Sequence, residues 1–406
     1  MTKKWLLFLM LFGILTQLQA TPIFAEQYKM QCNSCHNMMP TLNKTGLKFL
    51  RNGFRFSTHD KTLAEAFLDA NSSKTRVLPI HGLIGVNADT KNRSDVEKLN
   101  VYFGGSMTET LSLFAVTRST YNTASDHNLF GESNSRAYVQ WNPTKNAQVI
   151  KVGWMDPLTM FSNLNRSVMD NALMGSGLLK KAPKTVVKPE WVGVKPLPPE
   201  PSEDATPQQI KRYNIAKMPK QPYMLPVPYA GTSLVKGVEY SYLDNDKTLI
   251  LVNFGIPSAQ YYADDNDIKL TTGIELRDIS GYNIGVVYMH QELANIDTDS
   301  LLIPIEKEFF NGELLFQQSF VYKDTNQFDK PYYGSQTTFV YEIDDQSQVR
   351  AIAAFDQDEA EHFNAGYSIT YSKIWKERYL VHLTGARHKG PFFDESITKL
   401  SLYLFL

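Results

Sequence analysis

The residues best placed to do chemistry are Cys32-Asn33-Ser34-Cys35-His36, which hold both cysteines of the protein. Two thiols at this spacing leave one turn together and can bond to both vinyl groups of a haem. The histidine that follows then stands under the iron as an axial ligand. For an exported protein, the C-x-x-C-H pattern is the attachment signature of c-type haem, so one covalent haem c is expected, with His36 as the proximal ligand. A thioredoxin-like dithiol would need a surrounding βαβ pattern, and a structural zinc would need two more nearby ligands; neither is found. For the opposite face of the ring, Met30, Met38 and Met39 lie too near His36 in sequence. His59, beyond the turn at Gly53, is the candidate distal ligand and His81 the runner-up, with a Met-ligated or open site as the remaining alternatives.

Positioning such a group takes a domain. Pro40 to Asn52 is helix-compatible, with Leu42, Leu47, Phe49 and Leu50 on one side and Gly53 as a natural stop. Residues 26–75 therefore read as a small haem domain, and some fifty residues cannot bury a haem unaided. Upstream, Lys3 and Lys4 precede an apolar run from Trp5 to Leu18 and then small residues. Residues 1–25 read as a secretory signal peptide cut after Ala25, with Ala20 as the second position and a membrane anchor as the alternative.

The rest of the 406 residues carries a different pattern. From residue 76 onward, segments of about ten residues alternate apolar and polar side chains between turn signals. Ile268, Leu270, Thr272, Ile274 and Leu276 alternate with Lys269, Thr271, Gly273, Glu275 and Arg277; Phe363 to Ser372 and Lys399 to Leu406 behave alike. Sixteen strands are expected, near 76–88, 96–107, 110–121, 135–143, 146–154, 231–243, 247–256, 268–277, 281–290, 300–310, 313–322, 334–343, 347–356, 362–372, 376–388 and 396–406. Tight turns such as Thr144-Lys145 and Asn311-Gly312 alternate with longer links at 122–134, 155–230, 257–267, 291–299, 323–333 and 389–395. The 155–230 link holds most of the prolines and reads as a long extracellular loop able to cap the lumen or fold into it. Aromatics at 12% suit the interfacial girdles of such a barrel, and a formal net charge of -1 excludes a basic nucleic-acid binder. A soluble β-sandwich is the competing architecture. The expected fold is thus mostly β: an antiparallel transmembrane β-barrel of about sixteen strands at 76–406. A small α-helical c-type haem domain plugs its lumen, and both termini face the periplasm.

Cys32, Cys35 and His36, then Pro40, Leu42, Asn43, Gly46, Phe49 and Gly53, followed by the barrel, resemble the fused outer-membrane monohaem cytochrome c–porins, including the iron oxidases of iron-oxidising bacteria. The resemblance implies haem-attachment and axial roles for Cys32, Cys35 and His36 only. The protein departs from it in ending on Leu406, where outer-membrane barrels usually end in an aromatic.

The expected function is an electron conduit. A wall about 25 Å tall is too long for a single hop between aqueous phases, and a haem in the lumen divides it. Electrons would pass from an extracellular donor, with Fe(II) first, to a periplasmic c-type cytochrome, the barrel standing in the outer-membrane lipid of a Gram-negative cell. Asp356, Asp358, Glu359, Glu361 and His362 cluster at one outer turn and Asp264, Asp265 and Asp267 at another, offering the hard oxygen ligands that Fe(II) takes. Solvated loop charges are the plainer reading of both clusters. The alternatives are a diffusion porin with a haem-bearing plug or sensor, and outward or sulfur-linked electron transfer.

Overall fold

The computed structural model describes residues 24, 28, 30–36, 42–57, 62, 65 and, from 80 to 405, all but 90–93, 120–135, 145–146, 162–234, 258–266, 294–295, 327–329, 358–362, 376–378 and 391–392. Of the expected signal segment, only Phe24 falls among them.

Sixteen antiparallel strands among these residues close into one barrel. They are β1 (Ile80–Asp89), β2 (Ser94–Ser106), β3 (Leu111–Ser119), β4 (Arg136–Trp141), β5 (Gln148–Met155), β6 (Val235–Asp244), β7 (Thr248–Pro257) and β8 (Ile268–Ile279). The second half is β9 (Tyr282–Leu293), β10 (Ile296–Phe309), β11 (Leu314–Thr325), β12 (Tyr332–Asp344), β13 (Ser347–Gln357), β14 (Phe363–Trp375), β15 (Tyr379–Gly390) and β16 (Phe393–Phe405). Each strand pairs with its sequence neighbours, and β1 closes on β16 with Leu83 opposite Phe405 and Asp89 opposite Lys399. Closure removes the unpaired edges that would otherwise have to be covered.

The side-chain alternation is inverted relative to a water-soluble sheet. In β8 the buried residues are Lys269, Thr271 and Glu275, whereas Ile274 and Leu276 are 42% and 39% exposed. The outward face carries Val252, Phe254, Val286, Phe320, Ile369 and Leu400, all more than a third exposed. Aromatics concentrate toward the strand ends, with Trp141, Phe309, Tyr341 and Trp375 at one rim and Tyr322, Tyr333, Phe355 and Phe363 at the other. An apolar belt between aromatic girdles around a polar interior is what lipid requires of a spanning barrel. The β-sandwich alternative falls on this inversion.

An even strand count puts the start of β1 and the end of β16 at one mouth, together with the tight turns at 107–110, 245–247, 280–281 and 345–346. This turn mouth faces away from the loop mouth, where the 155–230 link leaves the wall. Two links expected to be long are instead mostly strand: β9 and β10 leave only 294–295 between them, and β15 and β16 only 391–392. There the strands continue past the apolar belt, and outward residues such as Asp297 and Asp299 hide the alternation.

One part of the lumen is dry. Val149, Leu251, Val287, Leu302 and Val321 are lumen-facing and buried, and they pack in one cluster with Leu158, Met160 and Phe161. Those last three residues come from the start of the 155–230 link, which turns inward through Pro157–Met160. Asp156 caps that turn by accepting from the Leu158 N–H at 3.1 Å, and Arg277 donates to the Met160 carbonyl at 3.1 Å. The first residues of the link therefore line the lumen, and 162–234 lie outside the described residues.

Candidate functional site at the turn mouth

The site starts with a single turn. The N–H groups of Cys35 and His36 both donate to the Cys32 carbonyl, at 3.2 and 3.0 Å. Cys32, Cys35 and His36 thus leave one tight turn, and the two cysteines are thiols rather than a disulfide. Burial pushes the Cys35 thiol pKa up from its ordinary value. His36 then pairs with Leu42 in an isolated antiparallel bridge, which folds the backbone back over the turn.

Asn43 ties this turn to the helix that carries it, α1 (Lys44–Arg51). Its Oδ1 accepts from the Gly46 N–H at 3.0 Å, capping the helix, while its Nδ2 donates to the carbonyls of Asn33 and Ser34 at 3.1 and 3.2 Å. One side chain thereby satisfies an orphan helix donor and two turn acceptors. The helix starts at this cap, four residues later than the expected Pro40, because Asn43 with an extended backbone holds the Cys turn. A Cβ on Gly46 would collide with the Cys35 carbonyl oxygen and lie 2.9 Å from Leu42 Cδ2. Helix and turn are in backbone contact that only glycine permits. Gly53 ends α1 in the left-handed region at φ 67°, as the sequence anticipates.

The far end of α1 is clamped inside the barrel. Gln140 Nε2 donates to the carbonyls of Leu50 and Arg51 at 3.1 and 2.9 Å, and Asn142 Nδ2 donates to Arg51 at 2.7 Å. Helix carbonyls that lack intrahelical partners are thus satisfied by Gln140 on β4 and by Asn142 just after it. The Arg51 guanidinium, 2% exposed, donates to the Ala147 carbonyl at 3.1 Å and reaches Ser241 Oγ at 3.5 Å. Burial, then nearby Arg277, lowers its pKa to about 10. Arg55 donates to the Glu109 carbonyl in the β2–β3 turn. Phe54 stacks on Phe114 of β3 at 5.5 Å and on Phe24 at 5.2 Å, and Phe49 meets Phe24 edge-on at 4.9 Å. Across the mouth, Lys44 forms an ion pair with Glu308 at 3.0 Å and Asn33 hydrogen-bonds Glu342. The Cys32–His36 turn is therefore held across the turn mouth, anchored on opposite sides of the wall.

The remaining expected site residues are scattered or undescribed. His59 lies outside the described residues. His81 is the second residue of β1, opposite Tyr102, at the turn-mouth end of the wall. Asp356 is not in a loop but near the end of β13, lumen-facing and 3% exposed, and Asp267 is likewise buried just before β8. Asp358, Glu359, Glu361 and His362, with Asp264 and Asp265, lie outside the described residues. Among those described, no group of three or more His, Cys, Asp or Glu forms a metal cage. The donor set at the turn nevertheless fits a thioether-bound haem: two thiols on one turn, a following histidine, and a helix pressed against that turn by Gly46. Sequence reasoning missed Gln140, Asn142, Arg51 and Arg55 as the clamp. Each is an ordinary polar residue whose meaning depends on a contact from 54 to 96 positions away.

No protein-family model matches this chain, and no curated protein is similar to it. Solved structures are. A loop-deletion mutant of OmpT, an outer membrane protein of Vibrio cholerae, superposes with a TM-score of 0.50 at 9% identity, covering 80% of this chain and 98% of that one. The in-vitro folded trimer form of OmpT gives a TM-score of 0.50 at 8% identity over the same shares. The outer membrane channel DcaP of Acinetobacter baumannii gives 0.47 at 9% identity, covering 80% and 96%. These likenesses leave out about a fifth of the protein, and at such identities the two OmpT superpositions speak for the fold: this protein has the fold of an outer-membrane β-barrel.

Proposed function

We propose that the protein is an outer-membrane electron carrier: a barrel in the lipid of a Gram-negative outer membrane, closed at its periplasmic mouth by a haem c-bearing plug. The observation that carries this reading is the clamp. The Cys32–His36 turn is packed on α1, and α1 is bound to the wall by Gln140, Asn142 and Arg51. A porin that only passes solutes has no use for a thiol–thiol–histidine turn fixed in its mouth. The tight turns at that mouth support a periplasmic assignment for both termini, since outer-membrane barrels keep short turns on that side.

A haem held by Cys32, Cys35 and His36 would supply one-electron exchange. The protein's own part is to fix the turn at a set depth, to exclude bulk water with Phe24, Phe49, Phe54 and Phe56, whose ring lies 4.6 Å from that of Phe49, and to face the periplasm. A periplasmic c-type cytochrome is the acceptor on that side, and Fe(II) is the extracellular donor named first. Asp267, just before β8, and Asp356, near the end of β13, are the described carboxylates on the loop side that offer hard oxygen ligands for its approach.

The test uses purified outer membranes carrying the protein, made anaerobic and mixed with Fe(II). The haem absorption bands sharpen to the reduced form within the mixing experiment, and the change disappears in His36→Ala. Reduction by dithionite but not by Fe(II) removes the iron assignment and leaves the carrier reading. The second reading, a diffusion porin with a haem-bearing plug, is favoured by the likeness of the barrel to an outer-membrane fold wide enough for a channel. Ion conductance in planar bilayers at the level of an open sixteen-strand pore would select it.

A further inference from the structure

A histidine of the barrel wall stands on the same lumen row as the anchor of the Cys32–His36 turn. Asn33 of that turn hydrogen-bonds Glu342 near the turn-mouth end of β12. From Glu342, adjacent strands set Gln348, Ser372 and His382 directly opposite one another. The row faces the lumen, since Glu342 alternates with outward Tyr341, Ser372 with outward Tyr371 and His382 with outward Leu383. It covers three strand spacings, about 14 Å along the wall. His382 lies three positions in from Tyr379 at the turn-mouth end of β15. That is about 10 Å along the strand, inside the lumen rather than on the rim.

The surroundings of His382 suit a ligand to iron. Its ring meets the Tyr403 ring edge-on at 5.3 Å, which limits the directions in which a ring nitrogen can point. Its opposed neighbours on either side, Ser372 and Ser401, are small and buried, so the imidazole projects farthest from this stretch of wall. The next lumen row toward the loop mouth sets Arg350, Thr370, Thr384 and Lys399 opposite one another. Two cations therefore border the site with hydroxyls between them. A haem brings two carboxylates as well as its iron, and negative charge enters a lumen at least cost where cations meet it. The other imidazole and thioether donors described in the wall and its turns are placed elsewhere. His290 faces outward beside Asp299, Met160 and Met289 are packed in the apolar cluster, and Met107 is in the β2–β3 turn.

We propose that His382 is the distal axial ligand of the haem, so that the plug supplies one iron ligand and the barrel wall the other. The assignment rests on the electron-carrier reading and moves the distal role from His59 and His81 to β15. It also gives the row its purpose: Glu342 sets the turn at one end, and His382 meets the iron from the other. An imidazole on each face keeps the iron six-coordinate, low-spin and closed to carbon monoxide.

The experiment is electron paramagnetic resonance of the purified, oxidised full-length protein, with carbon monoxide added to a dithionite-reduced portion. Wild type gives a low-spin ferric signal and takes up no carbon monoxide. His382→Ala keeps its covalent haem, turns high-spin and binds carbon monoxide, and added imidazole restores the low-spin signal. A side chain that only supports the fold would not be replaced by free imidazole. A low-spin His382→Ala that still excludes carbon monoxide overturns the proposal, as does a high-spin wild type. Loss of the low-spin signal in His59→Ala or His81→Ala, with His382→Ala unchanged, overturns it in favour of that residue. If His382→Ala loses heat-modifiable migration and so has not folded, His382→Met decides: its near-infrared magnetic circular dichroism changes from the bis-imidazole band to that of an imidazole–thioether pair, and an unchanged band overturns the proposal. A wild-type protein with no covalent haem removes the electron-carrier reading as well, whereas every other outcome leaves that reading standing.

Discussion

At the residue scale, the site depends on an atom that is missing. Gly46 lets α1 touch the Cys35 carbonyl, and Gly46→Ala forces helix and turn apart. Haem retained per mole of protein is expected to fall severalfold, while heat-modifiable migration of the barrel stays as in wild type; full haem loading in Gly46→Ala would mean the contact is dispensable. Phe24 makes a second residue-scale prediction. It lies one position before the expected cut after Ala25, yet its ring packs on Phe49 and Phe54 inside the plug. The mature protein is therefore expected to begin at Thr21, which keeps that packing, and intact mass measurement would read it directly. A mature protein beginning at Glu26 would remove Phe24 from the plug.

At the scale of elements, the clamp makes α1 part of the barrel. Gln140→Ala with Asn142→Ala removes both side-chain donors from the buried Arg51 carbonyl, at about 1–3 kcal/mol, and leaves the Leu50 carbonyl to backbone donors such as the Gly53 N–H. Hydrogen exchange in 44–51 is expected to accelerate by more than tenfold in the double variant, with the strands unchanged; wild-type protection would place the anchor elsewhere. The strands themselves were legible because alternation has a period of two and a lipid-facing wall enforces it along each span. That legibility ended at the rims, where Asp297 and Asp299 face outward and the β9–β10 strands run on unnoticed. In β7, expected at 247–256 and found at Thr248–Pro257, the sequence hides only which face meets lipid, because Leu249 and Leu251 face the lumen while Ile250 and Val252 face outward and both faces are apolar. The reason is long-range: Leu158, Met160 and Phe161 dry that part of the lumen. The Cys32–His36 turn was legible because its five residues are contiguous. The groups that hold it were not, since register decides which of many glutamines and asparagines meets a helix end.

For the whole molecule, the inverted alternation makes the outer face a lipid surface. Val252, mid-strand in β7 and 42% exposed, tests this: Val252→Arg should destabilise the barrel in bilayers by about 2–4 kcal/mol. Unfolding by denaturant from lipid vesicles measures it, and no change would mean that this face does not meet hydrocarbon. A sixteen-strand barrel is wide enough to leave an aqueous channel, so whatever occupies the lumen sets what crosses it. Among the described residues the occupants are α1 from one mouth and the 157–161 turn from the other, and Leu50 of α1 packs against the same apolar cluster as Phe161. The central claim is that this plugged barrel carries a covalent haem on Cys32 and Cys35. The most direct measurement is acid–acetone extraction of the purified, heat-modifiable protein, followed by a haemochrome spectrum of the precipitated polypeptide. One haem is predicted to remain per molecule, and none in Cys32→Ala/Cys35→Ala, with the barrel intact in both. A colourless wild-type protein that still migrates as a folded barrel would contradict the claim.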